Sequence, residues 1–403
     1  MYLTHLSLTN FRLFSRLDMD VPRRILLLVG ENAQGKTSIL EAIYYLATFT
    51  SFHAQADRQL INFVAAGDGL SIGRIVATFQ RDERKRKLEV RLIQEATVNG
   101  SPRFRKEVLL DGVKAPASQI IGQFNAVLFL PQMTSIIEGG PDERRRYINL
   151  AIAQTDPLYM QALTEYTQAL SQRNALLKQL CERSGDPSQL SFWDNLLASR
   201  GAVLMHARIK AFEELESLAV RVHEKLSGGK EVLRIRYQPS YEPVSTPGGQ
   251  FALPMDTAVS RGGFTQTQLQ DGLLDKLNKV RSEEIARGMT TIGPHRDEFR
   301  IICNGIDLGD YGSRGQVRTA ILSLKMAEVD WIKSKTNQWP VLLLDETLAE
   351  LDHERRNSLM NYLENADQVL LTTTDYNLFS AEFAAHSEKW QVSQGVVERL
   401  SCD

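Results

Sequence analysis

Tyr2, Thr4, Leu6 and Leu8 recur on a two-residue period, and so do Leu17, Met19 and Val21. That alternation predicts strands with one covered face. Ile25 to Val29 is instead an unbroken aliphatic run, which fits a strand buried on both faces. A glycine-rich turn follows it, and then Ile39, Leu40, Ile43, Tyr44 and Leu46 at helical spacing. A strand–loop–helix unit is expected there. Between Ser71 and Leu110, strand-like stretches such as Leu88–Ile93 are punctuated by Asn99-Gly100 and Asp111-Gly112, both hairpin-turn dipeptides.

The middle of the chain changes period. Leu158, Ala162, Tyr166, Leu170, Leu177 and Leu180 form one apolar stripe, and Leu197, Leu204, Phe212, Leu215 and Val222 form another. Two amphipathic helices of about 25 residues are predicted, each about 38 Å long, joined through Ser184-Gly185-Asp186-Pro187. Thr246-Pro247-Gly248-Gly249 and Arg261-Gly262-Gly263 mark a glycine-rich surface region. After Thr290 the strand–helix alternation returns, with aliphatic runs at Val341–Leu344 and Val369–Leu371.

With 403 residues, 43% hydrophobic and 24% charged, the chain has enough apolar surface for two or three cores and is no disordered polymer. The formal charge of -2 supplies no global attraction for nucleic acid or anionic lipid, so polyanion binding requires a local patch. Cys181, Cys303 and Cys402 are odd in number and lack metal-ligand spacing, which predicts free thiols in a reducing compartment. The N-terminus has no signal-peptide pattern and no apolar run reaches membrane length, so a soluble, cytoplasmic protein without a membrane partner is expected.

Gly30-Glu31-Asn32-Ala33-Gln34-Gly35-Lys36-Thr37, with Ser38 next, has the G-x-x-x-x-G-K-T spacing between a buried strand and a helix. Backbone N–H groups of such a loop wrap the phosphates of ATP, Lys36 places a charge on the outer ones, and the Thr37 hydroxyl reaches Mg²⁺. Roughly 300 residues later, Pro340–Leu344 is an aliphatic strand ending in Asp345 and Glu346. At the nucleotide crevice Asp345 would hold Mg²⁺ and Glu346 would polarise the attacking water; alone, the stretch would read as a strand entering a solvated turn. Catalysis is therefore assigned to Glu346 and Lys36.

So wide a separation, with a helical segment between, is the layout of ABC-type ATPases. Their third element is a glycine-bearing signature that opens a helix. Leu226-Ser227-Gly228-Gly229-Lys230 matches on paper, but Glu231–Tyr237 behind it alternates like a strand, so it is read as a decoy. Gly312-Ser313-Arg314-Gly315-Gln316 precedes Val317, Ala320, Ile321, Leu324 and Glu328 at helical spacing, so Ser313, Gly315 and Gln316 are the signature residues expected at a γ-phosphate. Asp352 falls in the loop through which ABC-type sites meet across a dimer. Hydroxyls at Thr372–Thr374, Thr373 foremost, stand where a switch histidine usually ends the last strand. Gln132, just after Val127–Leu130, is a candidate for coupling the lobes through Mg²⁺.

On these residues the chain resembles the RecF family, bacterial recombination-repair ATPases of the SMC-like ABC group. Further matching stretches are Leu8-Thr9-Asn10-Phe11-Arg12, Gly140-Pro141 with Glu143-Arg144-Arg145-Arg146, Gln172-Arg173-Asn174-Ala175-Leu176-Leu177 and Gly293-Pro294-His295-Arg296-Asp297. His53 and Asn149 depart from the expected pattern, where an arginine and an acid are usual. The resemblance implies an α/β, SMC-like ABC-type P-loop lobe with a mainly helical lobe inserted: 1–130 with 290–403, and 131–289. It further implies a weak ATPase that forms an ATP-dependent homodimer on double-stranded DNA at single-strand/double-strand junctions and assists RecR and RecO in loading RecA.

For DNA, the sequence offers Arg84-Lys85-Arg86-Lys87, Arg91, Arg103, Arg105 and Lys106; acids are interleaved, and such a run is ordinarily a solvated face. The Arg144–Arg146 triplet fits an ion pair as well as a DNA role. Two competitors remain: the nucleotide-binding subunit of a membrane transporter, which the missing switch histidine disfavours, and a structural tether, which needs far longer coiled coils.

Overall fold

The structure is a computed structural model that describes residues 1–62, 70–95, 103–183, 185–241 and 262–400, apart from the side chains of residues 377 and 381. The turn expected at Asn99-Gly100, Ser184, the stretch Thr246–Gly249, Arg261 and Cys402 lie outside the described residues.

Two compact units emerge: Met1–Met133 with Leu324–Asp403, and Thr134–Ser323. The first begins β1 (Tyr2–Phe11), β2 (Phe14–Asp20), β3 (Arg24–Val29), α1 (Lys36–Thr48), β4 (Leu70–Arg81), β5 (Arg84–Glu95), β6 (Arg103–Leu110), β7 (Val113–Lys114), α2 (Ala117–Ile120) and β8 (Ala126–Phe129). The second holds α3 (Ser135–Glu138), α4 (Pro141–Ala153), α5 (Pro157–Glu182), α6 (Leu190–Leu226), β9 (Leu233–Gln238), α7 (Gln266–Arg287), β10 (Glu298–Cys303), β11 (Ile306–Asp307) and α8 (Leu308–Tyr311). The unit boundary falls within α9 (Arg314–Thr336), after which come β12 (Val341–Asp345), α10 (His353–Leu363), β13 (Gln368–Thr373), α11 (Ala381–Ala385), β14 (Ser387–Ser393) and β15 (Val396–Arg399).

Unit 1 has two sheets. The antiparallel one runs β2-β1-β4-β5-β6-β7; the other runs β15-β14-β3-β13-β12-β8 and is parallel except for β15. Helix α1 lies against β8, β12 and β13 of one sheet and β4 and β5 of the other, which is why it is apolar nearly all round. The covered face of β1 is not the one its alternation predicts. Leu3, Leu6 and Leu8 are buried while Tyr2 and Thr4 are not, because the register with β4 shifts between Leu3 and His5. At Asp111-Gly112 the expected hairpin forms, with φ of 52° and 83° and Leu110 paired to Val113.

In unit 2, α6 has 37 residues against the expected 25 or so, about 55 Å of helix. Gly201 lies inside it without breaking it: a Cβ there would meet Leu273 Cδ2 at 2.8 Å and Tyr166 Cε2 at 3.3 Å, so the missing side chain admits α5 and α7. Helix α7 escaped the periodicity reading because its buried positions, Leu269, Leu273, Leu277 and Glu284, form a thin stripe; the sequence-level signal was the Thr265/Gln268 capping box. The second boundary also differs. Residues 290–323 were expected in lobe I, yet β10 pairs with β9 from Glu298↔Gln238 to Cys303↔Leu233, which holds this stretch in unit 2.

Three helices meet on a buried charge cluster. Arg173, wholly buried on α5, donates to Asp194 of α6 at 2.7 Å and to the Thr290 hydroxyl at 2.8 Å, and pairs with Glu284 of α7 at 2.7 Å. Arg281 closes on the second oxygen of Asp194 at 2.7 Å. Removing one partner from such a set leaves charges in a low dielectric. Arg173→Met is therefore expected to lower unfolding free energy by about 3–5 kcal/mol in urea denaturation, whereas a loss below about 1 kcal/mol would show that the cluster does not hold the helices.

Candidate nucleotide site

The phosphate loop leaves the C-terminal end of β3, and its shape is set by what packs on it. A Cβ on Gly30 would lie 2.2 Å from the Val392 carbonyl oxygen of β14, and one on Gly35 (φ 111°) would meet the Phe14 ring at 2.9 Å. Ala33 also has a left-handed φ of 63°. Gln34 fastens the loop to the β14–β15 turn by accepting the Gln394 N–H at 2.6 Å. The turn at Val392–Gly395 was not foreseen; no motif marks it.

Within this loop Lys36 is almost fully buried. Its Nζ donates to the carbonyls of Gly30 at 2.6 Å and Glu31 at 2.9 Å, and lies 3.6 Å from Glu346 Oε1. The Thr37 hydroxyl reaches both Asp345 oxygens, at 3.0 and 2.9 Å. Residues 308 apart in the chain thus meet because β12 and β3 flank β13 in one parallel sheet. A threonine hydroxyl beside a carboxylate is the hard-oxygen donor set that suits Mg²⁺. Glu346 turns the chain in the left-handed region, φ 49°, an uncommon conformation for a residue with a Cβ.

The hydroxyl at the Asp345 carboxylate is that of Thr372, at 2.6 Å, and Thr372 Oγ1 also accepts the Glu346 N–H at 3.1 Å. Thr373, the residue singled out in the sequence, instead donates to the Asp375 carbonyl at 2.8 Å and accepts the Asp375 N–H at 3.0 Å. In a strand, neighbouring side chains point to opposite faces, and nothing in a Thr-Thr-Thr run reveals which one faces the carboxylate. Gln132 is exposed in the turn after β8, and the strand before it is tied to Thr347, whose hydroxyl donates to the Phe129 carbonyl at 2.9 Å. Asp352 caps α10 by accepting the Arg355 N–H at 2.9 Å.

The signature candidate lies in unit 2. Ser313 and Gln316 form a reciprocal cap at the start of α9: Ser313 N–H to Gln316 Oε1 at 3.1 Å, and Gln316 N–H to Ser313 Oγ at 3.3 Å. Gly315 stands open in the first turn. Leu226–Lys230 contains the end of α6 and a turn with Gly228 and Gly229 at positive φ, followed by β9, so it opens no helix.

The model of the RecF/RecN/SMC N-terminal domain matches residues 2–395. The DNA replication and repair protein RecF of Roseiflexus castenholzii is 38% identical over 98% of this chain and 99% of its own length, and that of Chloroflexus aurantiacus is 39% identical with the same coverage. This chain belongs to the RecF family. A solved structure of the recombination mediator protein RecF-ATP in the RecFOR pathway is 29% identical, covers 99% of this chain and 98% of that one, and superposes with a TM-score of 0.82. An Smc head domain from Pyrococcus furiosus, at 18% identity and a TM-score of 0.50, shares the fold.

Several motifs shared with RecF do structural work here. Arg144 is buried and pairs with Glu298 at 2.5 and 2.9 Å while donating to the Ile137 and Gly139 carbonyls; Arg145 donates to the Asp297 carbonyl at 2.9 Å. Arg208 pairs with Asp297 at 3.0 Å and donates to the Pro294 carbonyl at 2.6 Å. Asn149, where an acid is the expectation from sequence, accepts from the same Arg208 at 3.0 Å and from the Tyr159 hydroxyl at 2.6 Å. His295 contacts the Tyr166 hydroxyl at 2.7 Å, and burial pushes its pKa down to about 4, so it is neutral at pH 7. His53 packs against Phe52 at a tilt of 51°, with ring centroids 4.5 Å apart. Among the described residues no helix is long and apolar enough to cross a membrane.

The basic residues are not one patch. Lys87 pairs with Thr78 at the β4–β5 hairpin end, whereas Arg105 pairs with Ile93, six residues further along β5 and about 20 Å away. Arg86 is held by Asp111 at 2.8 Å and by Gln123 at 2.8 Å, and Lys106 by Asp57 at 2.9 Å and the Phe49 carbonyl at 3.0 Å. Arg103 sits opposite Glu95, and Arg105 lies 3.4 Å from the same acid. Between the two groups, hydrogen bonds from Arg74 and then Arg91 hold the Glu89 carboxyl down to about 2. Arg84, Lys85 and Lys87 are the exposed remainder at the hairpin end.

Lys36→Ala removes the ammonium group while leaving the loop's glycines in place. ATP affinity is expected to fall at least about tenfold, the scale of one charge-assisted hydrogen bond, with unchanged thermal unfolding. Equal affinity in calorimetry would remove Lys36 from the site.

Proposed function

We propose that this protein is an ATP-gated DNA-binding protein of recombinational repair, a weak ATPase that dimerises on double-stranded DNA at gaps and junctions and assists RecR and RecO in loading RecA. The observation that carries the reading is the convergence of Lys36, Thr37, Asp345 and Glu346 in one corner of unit 1, with Lys36 and Asp345 buried and Glu346 reaching solvent. The RecF-ATP relative in the RecFOR pathway supports it.

In this reading the N–H groups of Glu31–Ser38 wrap the phosphates and Lys36 carries the countercharge. Thr37 and Asp345 hold Mg²⁺, with Gln132 as a further ligand through water; the ion neutralises charge on the transferring phosphate. Glu346 orients and polarises the attacking water. Thr372 fixes both neighbours at once, taking the Glu346 N–H while donating to Asp345, so the base is aimed by the same hydroxyl that steadies the ligand. Unit 1 acts as the ATPase lobe and carries Asp352 in the loop through which the two sites communicate, and unit 2 presents Ser313, Gly315 and Gln316 to the γ-phosphate of a second chain. Two such sites close a two-fold dimer, and ATP acts by binding the dimer better than the monomer.

Chain mixing tests the trans arrangement. Ser313→Arg alone should bind ATP but fail to dimerise, and Lys36→Ala alone should bind ATP only weakly; mixed, they contain one intact composite site per heterodimer. Recovery of part of the ATPase activity on mixing is the expected result. ATP-driven dimerisation of Ser313→Arg, measured by light scattering, would remove the signature assignment.

The exposed hairpin end of β4–β5 is the DNA contact in this reading. Lys85→Glu with Lys87→Glu should weaken binding for all duplex sequences alike and reduce the log–log salt slope by about 1.8, at about 0.9 per phosphate. An unchanged slope would assign both lysines to a solvated face.

A further inference from the structure

Unit 2 contains a cluster that neither the nucleotide site nor the DNA reading uses. His223, at the end of α6, is wholly buried; Cys303 ends β10 and is buried too; Glu231 stands between the Leu226–Lys230 turn and β9 with its side chain 20% exposed. One ligand atom from each lies within 4.8 Å of the other two. His223 Nε2 is 3.1 Å from Glu231 Oε2 and 4.0 Å from Cys303 Sγ.

The surrounding hydrogen bonds decide what these atoms present to one another. Ser323 Oγ donates to the Thr319 carbonyl at 2.7 Å, so toward His223 Nδ1, at 3.1 Å, it is an acceptor. With Ser323 donating in this way, Nδ1 carries the proton of the neutral ring and Nε2 turns a lone pair toward a carboxylate oxygen. In that tautomer two lone pairs face each other at hydrogen-bond distance, which makes room for a cation between them. Gln316 Nε2 holds the other carboxylate oxygen, Glu231 Oε1, at 3.0 Å, leaving Oε2 aimed at the imidazole. Each of these two ligands is thus oriented from outside by a neutral hydrogen bond, as metal ligands are.

We propose that His223 Nε2, Glu231 Oε2 and Cys303 Sγ bind a divalent transition-metal ion of the zinc class. A tetrahedral ion with about 2.0–2.1 Å to nitrogen or oxygen and about 2.3 Å to sulfur separates its ligand atoms by roughly 3.3–3.6 Å. The two spacings from His223 Nε2, 3.1 and 4.0 Å, need shifts of only a few tenths of an ångström, and the carboxylate and thiol already lie within 4.8 Å of one another. One nitrogen, one oxygen and one sulfur donor exclude Mg²⁺ and Ca²⁺, which take oxygen. The exposed side of Glu231 is the entry path and leaves a fourth position for water. Binding converts the Cys303 thiol to thiolate and releases its proton to solvent. The ion would join the end of α6, the glycine turn and β10, and through Glu231 it would bear on Gln316 at the start of α9. The site stands apart from the nucleotide reading and survives if that reading fails.

Full-length protein carrying Cys181→Ser and Cys402→Ser, so that Cys303 is the sole thiol, is stripped with chelator and titrated with Co²⁺. The expected result is one cobalt per chain, an intense thiolate-to-cobalt absorption in the near ultraviolet, visible bands of tetrahedral strength, and loss of all three on adding Zn²⁺. Adding Cys303→Ser should abolish the ultraviolet band. Glu231→Gln, on a partly exposed residue that leaves folding intact, should weaken Co²⁺ binding at least about tenfold. A titration with no thiolate band, or a Glu231→Gln affinity equal to that of the parent, would overturn the proposal and leave a proton as the charge between His223 and Glu231.

Discussion

β3 is the strand on which the rest depends, and it has no neighbour from its own end of the chain. Its two edges are taken by β13 and β14, more than 330 residues later, in parallel registers that run from Gln368↔Arg24 to Gln391↔Val29. Parallel pairing over such a distance repays the entropy of closure only when the whole set of strands is in place. The terminus is stitched into the same joint: the Met1 ammonium pairs with Asp367 at 3.0 Å, and Gln368 accepts the Leu3 N–H at 2.7 Å while donating to the Leu3 carbonyl. The phosphate loop at the end of β3 therefore acquires its shape from Val392 and Gln394, some 360 positions further along the chain.

Unit 2 answers a different problem with charges. Its helices bury Arg173, Arg208 and Arg144 almost completely, each against a carboxylate and each with backbone or hydroxyl oxygens completing its hydrogen bonds. Such groups contribute less net stability than apolar packing would, but they allow few alternative arrangements. A leucine stripe lets α5, α6 and α7 slide by a turn, whereas a guanidinium shared between Asp194 and Glu284 does not. The arginine triplet Arg144–Arg146 and Gly293–Asp297, the particular stretches in the resemblance to RecF, contribute to these clusters through Arg144, Arg145 and Asp297.

The sequence was most legible where chemistry dictates residue type at fixed spacing. Gly30–Thr37, Asp345 and Glu346 could be read directly, and so could the decoy at Leu226–Lys230, because the alternation of Glu231–Tyr237 announced β9. What stayed hidden depends on three-dimensional neighbours. The choice of Thr372 over Thr373 is a matter of strand facing, the covering of Gly30 by Val392 is a matter of sheet order, and the assignment of 290–323 to unit 2 rests on pairing between β9 and β10. A run of arginines and lysines likewise says nothing of which members are already neutralised; Arg86 and Lys106 are held by Asp111 and Asp57, while Lys85 and Lys87 remain outside.

Glu346 holds an uncommon backbone conformation that works against stability. A residue with a Cβ at φ 49° costs about 1–2 kcal/mol more than glycine, which adopts that conformation freely. Glycine at this position would thus make a sturdier bend at the end of β12. In the proposed reaction that difference is the cost of keeping a carboxylate beside Lys36, one that holding nucleotide as a structural plug would not require.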